Sequence, residues 1–476
     1  MLSLPLDLIA RILRAERATP PAGSEPETVC RVVIDSRECG PGDLFVALAG
    51  DRVDGHRFVR SALDRGATGA LVVRERAAPQ DLRDPRVLAT PDTVAALGAL
   101  AMWHRSRARV CVIAITGSVG KTTTKDFLAG ILAECGRTHK SPGNLNNELG
   151  QPLTQLGIGP KDEFVVVELA MRGPGQIRTL AEIARPGWAV ITNVGLSHIE
   201  LLGSREAIAQ AKSEVLDYLP AWGAAILPAQ DDFVEFLRSR VPDGTRPVFF
   251  GAKDPEQDSL WAHVDATTDD SGRPATAMRI RGPGASRRRR VVLPVLGRHN
   301  AMNALAAAAC AWSIGIPNAA VADGLERAEI SAMRMTRKEL SDGVTLLDDA
   351  YNASSPEAMR AALEVLADLP ASRRIAVLGD MLELGDESLA VHSQVGEMVA
   401  AYRPDDLIAF GERAERYVTS AVEAGYPDGR CVALRSHSAV VDAIRERSVT
   451  GAAILVKGSR GMQMEQIVAA LAESGG

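Results

Sequence analysis

The run Ala114-Ile115-Thr116-Gly117-Ser118-Val119-Gly120-Lys121-Thr122-Thr123-Thr124 holds the residue types that bind phosphate. An apolar stretch before it, Val110 to Ile115, reads as a buried strand, and Lys125 to Glu134 after it reads as a helix. Strand, glycine loop and helix in that order set backbone N–H groups at the positive end of a helix, where an anion is favoured. The glycines let the backbone approach closely, because a Cβ there would block it. Lys121 can reach the outer phosphates, and the Thr122 hydroxyl can hold a magnesium ion. The spacing from Gly117 is tighter than the common phosphate-loop pattern but ends in the same Gly-Lys-Thr. The expectation is a nucleoside triphosphate held by Thr116, Gly117, Ser118, Val119, Gly120, Lys121, Thr122 and Thr123.

Other residues of chemical interest follow strand-like runs. Glu168 ends Val165-Val166-Val167, where an α/β sheet places ligand groups. It can complete a magnesium shell with Thr122, or cap a helix. His198 closes Asn193-Val194-Gly195-Leu196-Ser197-His198 after the strand Val190-Ile191-Thr192; a loop histidine is either solvated or a ligand. Lys212 falls between Ile208, Val215 and Leu219 on one face of a helix predicted over Arg205 to Leu219. A lysine there snorkels, finds a partner or loses its charge. A neutral amine is a nucleophile and can take up carbon dioxide as a carbamate. Asn300 and Asn303 open an alanine-rich helix, where amides cap the helix or read a base edge. Asp348-Asp349-Ala350-Tyr351-Asn352-Ala353-Ser354-Ser355-Pro356 is a ligand loop or a serine-capped turn. Lys457 and Arg460 add positive charge at a later strand end.

These residues need sheets to position them. At 476 residues the chain has length for about three domains. From Arg109, strands (Val110–Ile115, Phe164–Leu169, Ala189–Thr192, Ala224–Leu227) alternate with helices, which implies a mainly parallel sheet covered on both faces. A polar insert, Asp254 to Arg290, reads as hairpins on its rim, with Arg287–Arg290 as a solvated turn. A third block from Arg334 repeats the α/β pattern, and Met1 to Ala18 reads as an amphipathic helix ahead of a Pro/Gly/Ser-rich Thr19–Glu27. Net charge −6 gives no global electrostatic case for nucleic acid, and 4% aromatic content argues against base-stacking surfaces. Six scattered cysteines without a CxxC pair fit reduced thiols, and no apolar run approaches membrane-spanning length. A soluble cytoplasmic protein is expected.

Taken together, these segments resemble the Mur ligases, the ATP-dependent amide-bond-forming enzymes of bacterial cell-wall precursor synthesis. The resemblance spans essentially the whole chain. It rests on Thr116 to Thr123, Asn144-Leu145-Asn146-Asn147, Glu168, Thr192 to His198, Lys212, Gly297-Arg298-His299-Asn300 and Asp348 to Asn352. It implies three α/β domains: 1–105 for a UDP-sugar nucleotide, 106–330 for ATP on a phosphate-loop parallel sheet, and a Rossmann-like 331–476. It also implies that Lys121, His198 and Lys212 are catalytic. Thr122, Glu168, His198 and a carbamylated Lys212 would hold Mg2+. Asn300 and Asn303 would lie near adenine, with Asp349, Tyr351 and Asn352 near ribose or phosphate. Asp35-Ser36-Arg37, Pro41 to Leu48 and Asp54-Gly55-His56 look like the uridine-nucleotide domain of the two later ligases, with Ser36, Arg37, Asp54 and His56 as contacts.

The Asp-Asn-Pro-Arg motif of the ligase adding the third amino acid is absent. Ala350 to Pro356 and Val377 to Gly385 are instead similar to the last ligase of the pathway, although the loop ending at Ser355-Pro356 is one residue longer than usual. The implied reaction joins D-alanyl-D-alanine to UDP-N-acetylmuramoyl-tripeptide through an acyl phosphate, with the chain acting as a monomer. Competing readings are another ligase step, a folate or cyanophycin-type relative, a GTPase switch and an inactive partner subunit. The GTPase lacks an Asn-Lys-x-Asp motif here, the folate type would lack the uridine-nucleotide segment, and an inactive subunit would be expected to lose Lys121, Glu168 or Lys212.

Overall fold

Alternating burial along short strands builds this molecule. In the computed structural model, the strand Cys111–Thr116 turns Ile113 and Ile115 into one core and Val112 and Ala114 into another. Period-two alternation with both faces buried is the signature of a parallel sheet sandwiched by helices. The structure describes residues 3–21, 27–50, 53–251, 259–260, 262–268, 274–284, 286–353 and 355–473. Ser354 and parts of the Thr19–Glu27 and Asp254–Arg290 segments lie outside the described residues.

The amino-terminal sheet is parallel, in the order β1 (Arg31–Val33), β2 (Asp43–Val46), β3 (Gly69–Val73) and β4 (Val87–Thr90). The predicted first helix is shorter than expected, α1 (Leu6–Leu13), and ends at Arg14 in a left-handed conformation. Further on come α2 (Val59–Asp64) and α3 (Thr93–Arg105). Asp92 starts α3 by accepting from the N–H groups of Val94 and Ala95.

The central sheet has seven parallel strands. In chain order they are β5 (Cys111–Thr116), β6 (Thr138–Lys140), β7 (Phe164–Glu168), β8 (Trp188–Ile191), β9 (Ala224–Pro228), β10 (Arg246–Phe250) and β11 (Ser259–Leu260). Their spatial order is β11-β10-β9-β8-β5-β7-β6. One face is covered by α4 (Lys121–Ala133), whose Phe127, Leu128, Ile131 and Leu132 are fully buried. The other face is covered by α6 (Gln176–Ala184) and α7 (Arg205–Ser213), which follow α5 (Gly150–Leu156) in the chain. Strands β12 (Ala262–Thr268), β13 (Pro274–Ile280) and β14 (Arg289–Leu293) form an antiparallel sheet of their own. Arg289 and Arg290 therefore belong to a strand, not to a free turn. Arg289 pairs with Asp323 at 2.5 Å, and Arg290 donates to Thr267 Oγ1 at 2.9 Å. The alanine-rich α8 (Arg298–Ile314) and α9 (Asn318–Glu326) complete the first core.

The carboxy-terminal sheet runs β15 (Thr336–Glu339), β16 (Thr345–Asp349), β20 (Ala453–Lys457), β17 (Arg374–Gly379), β18 (Asp406–Phe410) and β19 (Cys431–Leu434) in space. Only the edge strand β15 is antiparallel to its neighbour. The helices α10 (Pro356–Asp368) and α11 (Ser388–Tyr402) cover one face of it. No helix among the described residues is long and apolar enough to cross a membrane.

Candidate active site

Because β5, β7 and β8 are adjacent and parallel, their carboxyl ends share one sheet edge, where such sheets bind ligands. The glycine loop leaves the end of β5. Gly117 has φ 149°, and a Cβ there would fall 1.9 Å from Thr192 Oγ1. Gly120 has φ 84°, and a Cβ there would fall 2.2 Å from Asn303 Oδ1. Only glycine fits either place. Helix α4 starts directly after Gly120, four residues earlier than the sequence suggests, so Lys121, Thr122 and Thr123 form its first turn.

The end of β8 pins this loop. Asn193 accepts from the Val119 N–H with Oδ1 (3.1 Å) and donates Nδ2 to the Val119 carbonyl (3.1 Å), while its own carbonyl accepts from the Ser118 N–H (3.2 Å). Thr192 Oγ1 also donates to the Val119 carbonyl (2.6 Å), and the Gly195 N–H donates to Ser118 Oγ (2.9 Å). The amides of Ser118 and Val119 are thus already engaged. The first-turn amides of α4, which have no intrahelical acceptor, are the ones able to face an anion. Thr116 presents a buried hydroxyl with no hydrogen-bond partner among the described residues. Lys121 Nζ donates to the carbonyls of Gly117 (2.7 Å) and Ser118 (3.3 Å).

Glu168 is 2% exposed at the end of β7. Its Oε2 accepts from Thr122 Oγ1 and its Oε1 from Asn146 Nδ2, both at 2.9 Å. It caps no helix, since α6 begins at Gln176. Among the described residues no group of three or more His, Cys, Asp or Glu could hold a metal ion. Thr122 Oγ1 and the Glu168 carboxylate bring two hard oxygen donors together, the donor type that magnesium prefers.

His198 sits in a left-handed conformation (φ 65°) ahead of a single helical turn, Ile199–Leu202. Its Nδ1 lies 3.1 Å from Oε2 of Glu383, a residue of the carboxy-terminal block. The other oxygen of Glu383 pairs with Arg172 at 3.3 Å. Burial lowers the His198 pKa, Lys121 lowers it further, and Glu383 opposes both.

Lys212 does not snorkel. It is 2% exposed, and its ammonium makes no hydrogen bond or ion pair among the described residues. Burial drives its pKa well down, and the charge of Lys121 adds to the effect. The helix that carries it stops at Ser213, short of the predicted Leu219. There Glu214 turns to accept from the N–H groups of Gly175 (2.8 Å) and Arg178 (2.9 Å) at the start of α6.

The third side of the site comes from the linker and the carboxy-terminal sheet. Arg334, read in the sequence only as the start of the third block, reaches into the site. It donates to Thr122 Oγ1 (3.2 Å), and its guanidinium lies 3.7 Å from the centre of the Tyr351 ring. Met333 and Met335 flank it at φ 59° and 55°, a conformation uncommon outside glycine. A cation between two methionines just ahead of a strand was the available signal. Asp349 accepts from Lys457 Nζ (2.5 Å) and from the Met335 N–H (3.1 Å), and Lys457 also donates to the Asn352 carbonyl (2.9 Å). Ser355 caps α10. Asn300 is spent inside α8: its Nδ2 donates to the Leu296 carbonyl (2.7 Å) and its Oδ1 accepts from Asn303 (3.2 Å). Asn303 is the one that abuts the glycine loop.

Ser36 and Arg37 lie on a turn after β1, and Asp54 and His56 on another after β2, in the amino-terminal part of the chain. Ser36 opens a one-turn helix capped by Asp35, and Arg37, 84% exposed, pairs with Asp35 at 2.6 Å. His56 is buried and fully engaged. Its Nδ1 meets Asp54 Oδ1 (2.6 Å), and its Nε2 accepts from the Val73 N–H (2.9 Å). The bonds from His56 hold the Asp54 carboxyl down at about 2. His56 therefore positions Asp54 and has no free ring nitrogen to offer a ligand.

Three family models match the chain: the Mur ligase middle domain over residues 115–311, the Mur ligase glutamate ligase domain over 333–460, and the Mur ligase family catalytic domain over 28–102. The UDP-N-acetylmuramoyl-tripeptide–D-alanyl-D-alanine ligase of Escherichia coli is 36% identical, with 100% of both chains covered. That of Bacillus subtilis is 33% identical, with 98% of each covered. Among solved structures, MurF from Acinetobacter baumannii matches at TM-score 0.86 and 30% identity over 99% of each chain. MurF from Thermotoga maritima in complex with ADP matches at TM-score 0.78 and 29% identity, over 93% of this chain and 97% of that one. With its phosphate loop, Glu168, His198 and Lys212 gathered around one sheet edge, the chain belongs to the Mur ligase family.

Proposed function

We propose that the chain adds D-alanyl-D-alanine to UDP-N-acetylmuramoyl-tripeptide at the expense of ATP, giving the pentapeptide precursor of peptidoglycan. The observation that carries this reading is full-length similarity to ligases of that name; the cations Lys121 and Arg334 at the first turn of α4 support it. The chain is an ATP-dependent ligase. A carboxylate oxygen of the tripeptide attacks the γ-phosphorus of ATP; the new O–P bond forms as the bond to ADP breaks. The dipeptide amine then attacks the acyl carbon. A C–N bond forms, phosphate leaves with its oxygen, and the amine gives up a proton.

Carboxylate and triphosphate repel each other, so the site must supply fixed positive charge at the point of attack. Lys121 and Arg334 do so at the phosphates. Thr122 and Glu168 would hold Mg2+, which would supply Lewis-acid neutralisation of phosphate oxygens. His198 and Lys212 would hold a second ion. Lys212 fits that task as a carbamate: it is buried beside Lys121 with no acidic partner. Its neutral nitrogen adds to carbon dioxide, a proton departs, and a buried neutral amine becomes an anionic oxygen donor. Asn303, Asp349, Tyr351 and Asn352 would surround the nucleoside. Ser36, Arg37 and Asp54 would meet the uridine nucleotide, with His56 fixing Asp54. We place the domains at 1–105, 106–330 and 331–476, and the enzyme in the cytoplasm.

The test is phosphate release from ATP with UDP-N-acetylmuramoyl-tripeptide, with and without D-alanyl-D-alanine, and with single amino acids as controls. Release that needs both substrates, with a pentapeptide product by mass, is expected. Release driven by a free amino acid and a shorter precursor would move the chain to an earlier step.

A further inference from the structure

A cavity of about 580 Å³ opens between the central and carboxy-terminal sheets. Val119, Gly195 and Leu196 line it from the central side, and Ser355, Glu357 and Arg360 from the other. None of the residues placed above around the nucleoside or the uridine nucleotide lines it. Most charged groups that do already have a partner, although the Nε of Arg205 has none among the described residues. Asp231 accepts from the N–H groups of Val194 (2.7 Å) and Phe233 (3.0 Å), and Arg205 pairs with Asp232 (2.8 Å). Glu357 and Arg360 differ: neither makes a hydrogen bond or ion pair among the described residues.

These two opposite charges stand one turn apart on α10, where side chains three residues apart have Cβ atoms about 5–6 Å from each other. Glu357 is the one placed toward the chemistry. Its Oε2 is 4.0 Å from the point a Cβ on Gly195 would occupy, and Ser118 of the glycine loop is 3.3 Å from that same point. A dipeptide zwitterion carries its ammonium and carboxylate at the ends of two residues, a span of at most about 7 Å. Its ammonium end must face the phosphate loop, because the amine is the nucleophile. From this match of charge, order and span we infer that the cavity is the subsite for D-alanyl-D-alanine, with Glu357 holding the amino group and Arg360 the terminal carboxylate. The inference rests on the proposed reaction and names the subsite of its third substrate.

Steady-state kinetics with each of the three substrates varied in turn test it. Arg360→Met is expected to raise KM for the dipeptide about tenfold, the usual scale for one charged hydrogen bond, with kcat and the other two KM values within about twofold. Glu357→Gln should raise the same KM. D-alanyl-D-alanine amide, which lacks the terminal charge, should lose about the same factor with the unaltered enzyme and nothing further with Arg360→Met. Multiplying losses in that cycle would overturn the assignment, as would an unchanged dipeptide KM. A raised KM for ATP alone would instead give the cavity to the nucleotide. Unaltered enzyme that releases phosphate with the tripeptide but only with a free amino acid would overturn the proposed reaction itself, and the subsite with it.

Discussion

Two lysines meet at the heart of this site, and electrostatics explains what each must do. Lys121 bonds the carbonyls of its own loop, so its charge is held at the place where phosphates would lie. Lys212 has no such partner and is disfavoured as a cation by burial and by Lys121. Lys212→Ala is therefore expected to lower kcat by about a hundredfold or more, the scale on which one electrostatic stabiliser acts. Acetate or formate should restore part of it by replacing the missing carboxylate; full activity in the variant, or no rescue by any small acid, would sink the carbamate. Glu168 makes a different prediction, because its partners are Thr122 and Asn146 and not the residues proposed for the uridine nucleotide. Glu168→Ala should weaken magnesium-dependent turnover by at least about tenfold and leave UDP-sugar nucleotide binding, measured by calorimetry, within about twofold. Equal losses in both would point to a folding defect.

At the scale of elements, the ends of strands and the bonds that fix them decide what the site can present. The loop that follows β17 carries Met381 and, two residues on, Glu383. His392 on α11 fixes that loop: it is fully buried, its Nε2 accepts from the Met381 N–H (3.2 Å), and its Nδ1 meets the Ser388 carbonyl (2.6 Å). Burial lowers the His392 pKa from its ordinary 6.5. The folded chain therefore binds fewer protons there than the unfolded one. Stability from this group is complete above about pH 6.5 and falls as pH drops below it, by at most about 1.4 kcal/mol per unit. Thermal melting from about pH 8 to 5 should show a smaller fall in Tm for His392→Gln than for the unaltered chain; identical slopes would remove His392 as the sensitive group. The strands β5, β7, β8 and β9 were legible in the sequence because an apolar run bounded by glycine or polar residues is a local signal. The end of α7 was not. Val215 and Leu219 keep the apolar period going, while Glu214 leaves the helix for the amides of α6, a partner more than thirty residues back in the chain. Strand β15 was hidden as well, since Thr336-Arg337-Lys338-Glu339 lies on a sheet edge and shows no apolar alternation.

At the scale of the whole molecule, contacts near the phosphate loop join the carboxy-terminal block and its linker to the central sheet and helices. Asp126 in α4 accepts from both the N–H (2.9 Å) and the hydroxyl (2.6 Å) of Ser331, which anchors the linker. Arg334 spans from Thr122 to Tyr351. Glu383 reaches across to His198 and Arg172. The first two lie within a few residues of the linker and would persist through a hinge motion. Glu383 makes a contact such a motion would break, as does Arg298 with Glu364, and the pairing of Glu383 with residues about two hundred positions away left no trace in local sequence. Its side chain is 46% exposed and that of Arg172 73%, so the pair is screened by solvent and holds the domains together by no more than about 1 kcal/mol. Loss of the Arg172 pair alone would then shift a two-state opening equilibrium by at most about fivefold, and loss of the bond to His198 adds to it. A latch of that size holds without trapping, which suits an enzyme that must admit three substrates and then exclude water from an acyl phosphate. Glu383→Ala should enlarge the radius of gyration measured by small-angle scattering in low salt. The unaltered chain should approach the same value as salt rises toward about 1 M, where the Debye length falls to about 3 Å. If the variant and the unaltered chain scatter identically at every salt concentration, Glu383 does not govern closure, and its contact with His198 serves only to orient the imidazole.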